Sequence, residues 1–224
     1  MEASSYYYDH LYPFQDEALS VINAVETDFY LTGGTALSRA YLHHRFSDDL
    51  DLFVNWDDRF GVWAERIVDA LQRQDRWQTQ VVLKDQYFVR ALLLRDDLTL
   101  KLEMINDVGS RVGTPHVDPR YPELGRIDSP ENILANKLTA LMGRDEPRDV
   151  ADVWGLCGKL GLSLRAALSG AQSKSSGIYP ADLARRFCQA TQADWEAVRW
   201  IEPPACEIFL AELQTLGDEL LLLS

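Results

Sequence analysis

The chain has 224 residues and a formal net charge of −13, with 46% apolar and 25% charged residues. This composition is ordinary for a globular protein, and no stretch approaches the ~20 consecutive apolar residues of a membrane span. The negative charge opposes casual attraction to nucleic-acid phosphates, so action on RNA would require a local basic surface or a partner that supplies one.

The N-terminal residues do not indicate export, and the cysteines do not indicate a metal site. Residues 1–6 lack the basic and apolar regions of a signal peptide, so we expect a cytoplasmic protein without membrane attachment. Cys157, Cys188 and Cys206 are odd in number and contain no CxxC pair. Neither a disulfide framework nor a zinc site is therefore expected.

The first predicted elements surround a pair of glycines. Apolar residues at three- and four-residue spacing predict an opening helix over residues 9–26, and Phe29 to Leu31 have the composition of a strand. The strand stops at Gly33-Gly34, and a helix is expected from Thr35. A glycine turn followed by a helix N-terminus presents backbone N–H donors that suit a phosphate group.

A strand with two acidic residues follows at Asp49 to Val54. Side chains alternate along a strand, so Asp49 and Asp51 share one face, about 6.6 Å apart. Paired carboxylates of this kind favour Mg²⁺. The alternative is an ordinary glycine turn and an acidic loop that opens a strand.

These segments, GGTAL and RFSDDLDLF, resemble the nucleotidyltransferase toxins of the AbiEii/AbiGii type, a branch of the DNA polymerase β-like nucleotidyltransferase superfamily. The resemblance implies that Gly33 and Gly34 hold a nucleoside triphosphate, and that Asp49 and Asp51 bind Mg²⁺, with Mn²⁺ as a substitute. Thr35 would donate its hydroxyl to a phosphate, where some relatives carry Ser.

The next segments predict a helix and three strands. The helix covers residues 59–72, and the strands cover residues 77–83, 87–94 and 98–105. Short polar connections between these strands predict an antiparallel meander beside the first two strands.

Glu103 lies on the mixed face of the last strand of this meander, whereas Leu102 and Met104 lie on its apolar face. A half-buried carboxylate needs a metal ion or a cationic partner. The resemblance makes Glu103 the third carboxylate of the site, as a metal ligand or a base for the acceptor hydroxyl. The alternative is a salt bridge with Lys101 or Arg90.

After a long loop expected over residues 106–126, Ser129-Pro130-Glu131 predicts a helix start. The helix runs to about Gly143, and Lys137 falls on its apolar side. A lysine side chain on the apolar side of a helix requires an anionic partner.

Pro147 opens a further helix in which Asp149 and Asp152 lie on one flank and Arg148 is four residues before Asp152. The blocks KLTALMGR and RDVADVW also resemble the toxin family. By that resemblance Lys137 holds the triphosphate with Arg148 nearby, and Asp149 or Asp152 orients Lys137, Arg148 or the attacking group. The alternative is an ordinary cluster of ion pairs.

We therefore expect an α+β fold. A polymerase β-like nucleotidyltransferase domain over residues 1–127, with a mixed sheet of about five strands flanked by helices, precedes a helical domain over residues 128–224. Helices without further motifs are expected beyond Gly161.

The expected activity is Mg²⁺-dependent transfer of a nucleoside monophosphate from an NTP to an acceptor hydroxyl. The resemblance implies a toxin of a type IV, AbiE-like toxin-antitoxin system, with tRNA as acceptor and a cognate antitoxin. Arg39, His43, His44 and Arg45 are candidates for a local basic rim. Two alternatives stay open: a nucleotidyltransferase with a small-molecule acceptor such as an antibiotic, and a non-catalytic nucleotide-binding module.

Overall fold

The computed structural model describes residues 3–223, whose contacts cluster into two compact units. The sheet unit comprises residues 3–36, 47–108 and 115–128. The helical unit comprises residues 37–46, 109–114 and 129–223. The domain boundary expected between residues 127 and 128 stays a prediction.

The sheet unit consists of helices and one mixed sheet. Its helices are α1 (Ala3–Ser5), α2 (Tyr12–Asn23), α3 (Gly33–Ala36) and α4 (Phe60–Gln72), with a π-helix at Tyr6–Leu11 and a 3-10 helix at Pro122–Leu124. Its strands are β1 (Tyr30–Thr32), β2 (Leu50–Asn55), β3 (Gln78–Lys84), β4 (Phe88–Arg95), β5 (Leu98–Asp107), β6 (His116–Val117) and β7 (Arg126–Ile127). They lie in the spatial order β3-β4-β5-β2-β1-β7-β6.

The predicted mixed sheet is confirmed, including the antiparallel meander β3-β4-β5. Strand β5 continues the sheet by pairing in parallel with β2, which pairs antiparallel with β1. The described sheet has seven strands rather than about five, because β6 forms within the segment expected to be a loop and β7 forms at its end. Strands of two residues are too short to show an alternating pattern in the sequence.

One face of the sheet forms the core of this unit. Leu50, Leu52 and Val54 of β2 are buried, and the alternate residues of β5 behave in the same way. Helices α2 and α4 contribute fully buried residues to this core, among them Phe14 and Ile67. The alternate residues of β2 and β5, whose side chains point to the other face of the sheet, are only half-buried, so polar side chains on that face remain accessible.

The helical unit begins with a π-helix at Leu37–Leu42. It continues with α5 (Pro130–Gly143), α6 (Pro147–Gly158), α7 (Leu164–Lys174), α8 (Pro180–Cys188), α9 (Gln192–Ala197) and α10 (Cys206–Leu221). The predicted start of α5 is confirmed, because the Ser129 side chain accepts a hydrogen bond from the Asn132 N–H. Within residues 3–223, no helix is both long and apolar enough to cross a membrane.

Candidate active site

The glycine turn lies directly against the second aspartate of the D-x-D strand. Gly33 has a φ of 66°, a left-handed conformation that side chains other than hydrogen disfavour. A Cβ added at Gly33 would lie 2.3 Å from Asp51 Oδ2. The glycine turn and the D-x-D strand, which are separate in the sequence, therefore lie side by side in the sheet unit.

Gly33→Ala is expected to lower the stability of the fold by about 1–2 kcal/mol from the backbone conformation alone. Displacement of the Asp51 carboxylate is expected to reduce nucleotidyl transfer as well. Urea unfolding and transfer assays measure the two effects. Gly61→Ala in α4 is the matched control, because a Cβ there meets no atom within 4 Å. Equal behaviour of the two variants would contradict this prediction.

Thr35 fixes the chain that carries the first aspartate. Its side chain is fully buried, and its hydroxyl donates to the Asp49 carbonyl oxygen at 2.5 Å and lies 3.0 Å from Ser47 Oγ. The hydroxyl therefore anchors the approach to β2. Its expected contact with a phosphate stays a prediction.

Three half-buried side chains form a row across three adjoining strands. Asp51 of β2 is the register partner of Glu103 of β5, which in turn pairs with Arg90 of β4. Arg90 donates to Glu103 Oε1 from Nε at 2.7 Å and from Nη2 at 2.6 Å. The ion pair that was the alternative for Glu103 is thus present.

Lys101 lies among the carboxylates of this site. Its Nζ is 3.0 Å from Asp49 Oδ2 and 3.4 Å from Glu103 Oε1. Burial lowers the pKa of Lys101, but the hydrogen bond to Asp49 and the charges of Asp49, Glu103 and Asp51 outweigh this effect and raise the pKa above its ordinary value. The ammonium group therefore remains charged, as a counter-ion to the carboxylates.

The carboxylates of this site suit a hard divalent cation by their chemical type. Asp51 of β2, Glu103 of β5 and Asp49, the residue before β2, supply carboxylate oxygens. Mg²⁺ and Mn²⁺ accept such oxygens as ligands. Among residues 3–223, no three acidic, histidine or cysteine side chains converge on a point that would hold a metal ion. Here the oxygens of Asp49 and Glu103 contact Lys101 and Arg90 instead.

Asp128 is a buried carboxylate that the sequence analysis did not identify. It is fully buried at the end of β7, where its Oδ2 accepts a hydrogen bond of 2.6 Å from the Thr32 hydroxyl. Its backbone N–H also donates to the Leu31 carbonyl oxygen. Asp128 thereby fixes β1 just before the glycine turn. The sequence analysis missed Asp128 because it did not predict β7, and the residues around Asp128 give no other indication that its side chain is buried.

Lys137 in the helical unit has the anions that its inward position required. Its side chain is 8% exposed, and Nζ lies 2.6 Å from Asp149 Oδ1 and 2.5 Å from Asp152 Oδ2. Asp149 also accepts hydrogen bonds from Arg144 at 2.7 and 3.0 Å. Burial raises the pKa of Asp149, but Lys137 and Arg144 more than offset it and hold that pKa below its ordinary value.

Asp152 is the most enclosed carboxylate of this cluster. Arg45 forms a bidentate pair with it at 2.7 Å from both Nε and Nη2, and His44 Nε2 lies 2.9 Å from Oδ1. Burial raises the pKa of Asp152, but the charges of Arg45 and Lys137 and the hydrogen bonds from His44 and Arg45 hold it well below its ordinary value.

Two expectations for the basic residues are wrong. His44 is 0% exposed and Arg45 is 3% exposed, so these two side chains do not contribute to a basic rim. Both side chains are buried against the Asp152 carboxylate, which lies more than a hundred residues later in the chain. Arg148 pairs with Glu146 at 3.6 Å rather than with Asp152, since the partners of Asp152 are His44, Arg45 and Lys137.

The geometry assigns a tautomer to His44. Its Nε2 faces Asp152, whereas Nδ1 has no hydrogen-bond partner among the described residues. A proton on Nδ1 would be a buried N–H without an acceptor, so the neutral ring with Nε2–H is favoured. Burial accordingly lowers the pKa of His44, although Asp152 opposes that shift, while Arg45 and Lys159 add to it.

The free energy of unfolding is expected to fall as the pH is lowered from about 7 to 5. In the folded protein burial lowers the pKa of His44, whereas a histidine of the unfolded chain takes up a proton below about pH 6.5. The unfolded state therefore binds more protons there and gains stability relative to the folded state. Urea unfolding at several pH values measures the slope.

His44→Gln is expected to flatten this slope, because the amide keeps a donor for Asp152 and does not titrate. His43→Gln is the control, since it makes the same change at the exposed neighbouring residue. The prediction would be wrong if His44→Gln kept the slope of the unsubstituted protein.

Comparisons with known proteins show which family the chain belongs to. The model of the family described as "Nucleotidyl transferase AbiEii toxin, Type IV TA system" matches residues 18–198. An uncharacterized protein of Aquifex aeolicus (strain VF5) is 28% identical over 197 residues, which cover 84% of this chain and 87% of that protein.

Two solved structures share the fold. MenT4, a nucleotidyltransferase toxin of Mycobacterium tuberculosis H37Rv, has a TM-score of 0.64 at 14% identity, over 98% of this chain and 86% of that one. JHP933 from Helicobacter pylori has a TM-score of 0.62 at 20% identity, over 93% of this chain and 89% of that one. Since the family model covers most of the sequence, the chain belongs to the AbiEii family of nucleotidyltransferase toxins of type IV toxin-antitoxin systems.

Proposed function

We propose that this nucleotidyltransferase moves a nucleoside monophosphate from an NTP to a hydroxyl of tRNA in a Mg²⁺-dependent reaction, for which Mn²⁺ can substitute. The observation that supports the proposal is the contact of the Gly33 turn with the Asp51 carboxylate. Backbone N–H donors beside carboxylates suit a triphosphate and the cation that accompanies it. Family membership implies the NTP substrate and a cognate antitoxin.

In the proposed reaction the acceptor oxygen attacks the α-phosphorus of the NTP, and the bond from that phosphorus to the bridging oxygen breaks. Pyrophosphate leaves, and the proton of the acceptor hydroxyl passes to a carboxylate, for which Glu103 is the candidate. Asp49 and Asp51 would hold the divalent cation, with Glu103 as a further ligand. A bound cation supplies charge neutralisation along the triphosphate.

The cluster in the helical unit supports a role in anion binding. Lys137, Arg45 and Arg144 carry three positive charges, whereas Asp149 and Asp152 carry two negative charges and His44 is neutral. One positive charge remains, and Arg144 is 48% exposed. We propose that Lys137 contacts the triphosphate with Arg148, and that Asp149 and Asp152 act as positioning residues by fixing the Lys137 ammonium.

The acceptor is proposed to be tRNA in the cytoplasm, on the basis of the family resemblance. One observation favours a small-molecule acceptor as second candidate. In a chain with a net charge of −13, the burial of His44 and Arg45 removes two basic side chains from the surface that was expected to contact RNA.

The test is incubation of the protein with each of the four α-³²P-labelled NTPs, Mg²⁺ and either total tRNA or a cell extract freed of macromolecules. Label on tRNA supports the proposal, provided that the Asp49→Asn and Asp51→Asn double variant produces none. Label only on small molecules favours the second candidate. NTP binding without transfer to either acceptor pool would contradict both.

A further inference from the structure

We propose that Lys101 is a built-in counter-ion of the carboxylate site and competes with the divalent cation for the same oxygens. This inference rests on the proposed function, because it concerns the residues proposed to hold Mg²⁺. Lys101 would then be a positioning residue that sets how tightly the site binds a metal ion.

The first argument is the position of the ammonium group. Lys101 Nζ lies 3.0 Å from Asp49 Oδ2 and 3.4 Å from Glu103 Oε1, so it bridges side chains from two neighbouring segments of the sheet. Its side chain is 31% exposed, compared with 24% for Asp49 and 14% for Glu103. The Lys101 side chain is therefore more exposed than either carboxylate that it contacts.

The second argument is which carboxylate oxygens the two cations Arg90 and Lys101 contact. Arg90 and Lys101 both contact the same oxygen of Glu103, Oε1. Arg90 is on β4, on the side of Glu103 away from β2, whereas Lys101 reaches towards Asp49. Withdrawal of Lys101 would leave Glu103 held by Arg90 and would leave Asp49 Oδ2 free of this cation.

The third argument is the size of the two cations. Mg²⁺ binds carboxylate oxygens at about 2.0–2.1 Å and repels a neighbouring ammonium group. A divalent cation held by Asp49 would therefore displace the Lys101 ammonium from that carboxylate. Lysine suits this exchange, since its flexible four-carbon stem lets the ammonium retreat into water. The free energy of metal binding would be less favourable by the free energy of the ion pairs that Lys101 loses.

The consequence is that neutralising Lys101 tightens metal binding. Lys101→Met is expected to lower the Kd for Mn²⁺ by about tenfold or more, since it removes both the repulsion and the competing ion pairs. Mn²⁺ alone is the probe, and electron paramagnetic resonance of free Mn²⁺ or titration calorimetry measures the Kd without any turnover. Lys84→Met is the matched control, because Lys84 pairs with Glu65 on the surface of the same unit.

The expected pattern is tighter binding in Lys101→Met, an unchanged Kd in Lys84→Met and loss of binding in Asp51→Asn. An unchanged or higher Kd in Lys101→Met, with binding still lost in Asp51→Asn, overturns the inference and leaves the proposed metal site intact. No Mn²⁺ binding by either the unsubstituted protein or Lys101→Met overturns both. Circular dichroism verifies folding, and Lys101→Gln repeats the test if the methionine variant is unfolded.

Discussion

Lys137→Met is expected to destabilise the helical unit by about 3–5 kcal/mol, the usual cost of removing one partner from a buried ion-pair cluster. Asp149 and Asp152 are both 0% exposed, and each has an oxygen within 2.6 Å of Lys137 Nζ. Methionine fills similar space but offers no donor, so each of the two buried carboxylates loses one of its cationic partners. Urea unfolding followed by circular dichroism measures the loss.

A second substitution separates this charge effect from a packing effect. Asp149→Asn in the Lys137→Met background neutralises one of the two carboxylates that have lost the Lys137 ammonium, and it is expected to restore part of the stability. Lys84→Met serves as the control for the same change of side chain at an exposed ion pair, where little change is expected. If Lys137→Met were as stable as Lys84→Met, the cluster would contribute nothing to the fold.

Asp51→Asn is expected to reduce nucleotidyl transfer by about 10²–10³-fold or more, with the fold preserved. Asparagine has nearly the same shape and keeps one oxygen near Gly33, so the strand and the turn retain their packing. It loses the negative charge that a divalent cation requires. The initial rate of pyrophosphate release in the presence of NTP and acceptor measures the effect.

Asp58→Asn controls for this prediction, because it removes one carboxylate charge from an exposed position shortly after the same strand. The expected rate of this variant equals that of the unsubstituted protein. A rate in Asp51→Asn within a few-fold of that value would show that the D-x-D strand does not carry the chemistry.

The sequence alone was sufficient for features whose cause lies within a few residues. The helix start at Ser129 depends on a side chain that accepts a hydrogen bond three residues later, and the structure contains that bond. The alternation in β2 and β5 follows from the period of two in a strand, and it placed Asp51 and Glu103 on the accessible face.

Features that depend on distant segments were missed or left open. His44 and Arg45 read as surface cations because nothing near them in sequence is acidic and buried, yet their partner is Asp152. Strand β7, which is two residues long, pairs with Leu31 and buries Asp128 beside Thr32. A pattern that short gives no periodic signal.

By itself, the sequence determined the elements that are proposed to carry the chemistry: a glycine turn, a D-x-D strand, an acidic residue at Glu103 and an inward lysine at Lys137. Only the tertiary structure decided which charges meet. It places Gly33 against Asp51, Arg90 and Lys101 on Glu103, and Lys137 between two buried aspartates. The physical reason is that strand periodicity and helix capping act over a few residues, whereas the partner of a buried charge is whichever group the packed chain brings within about 3 Å.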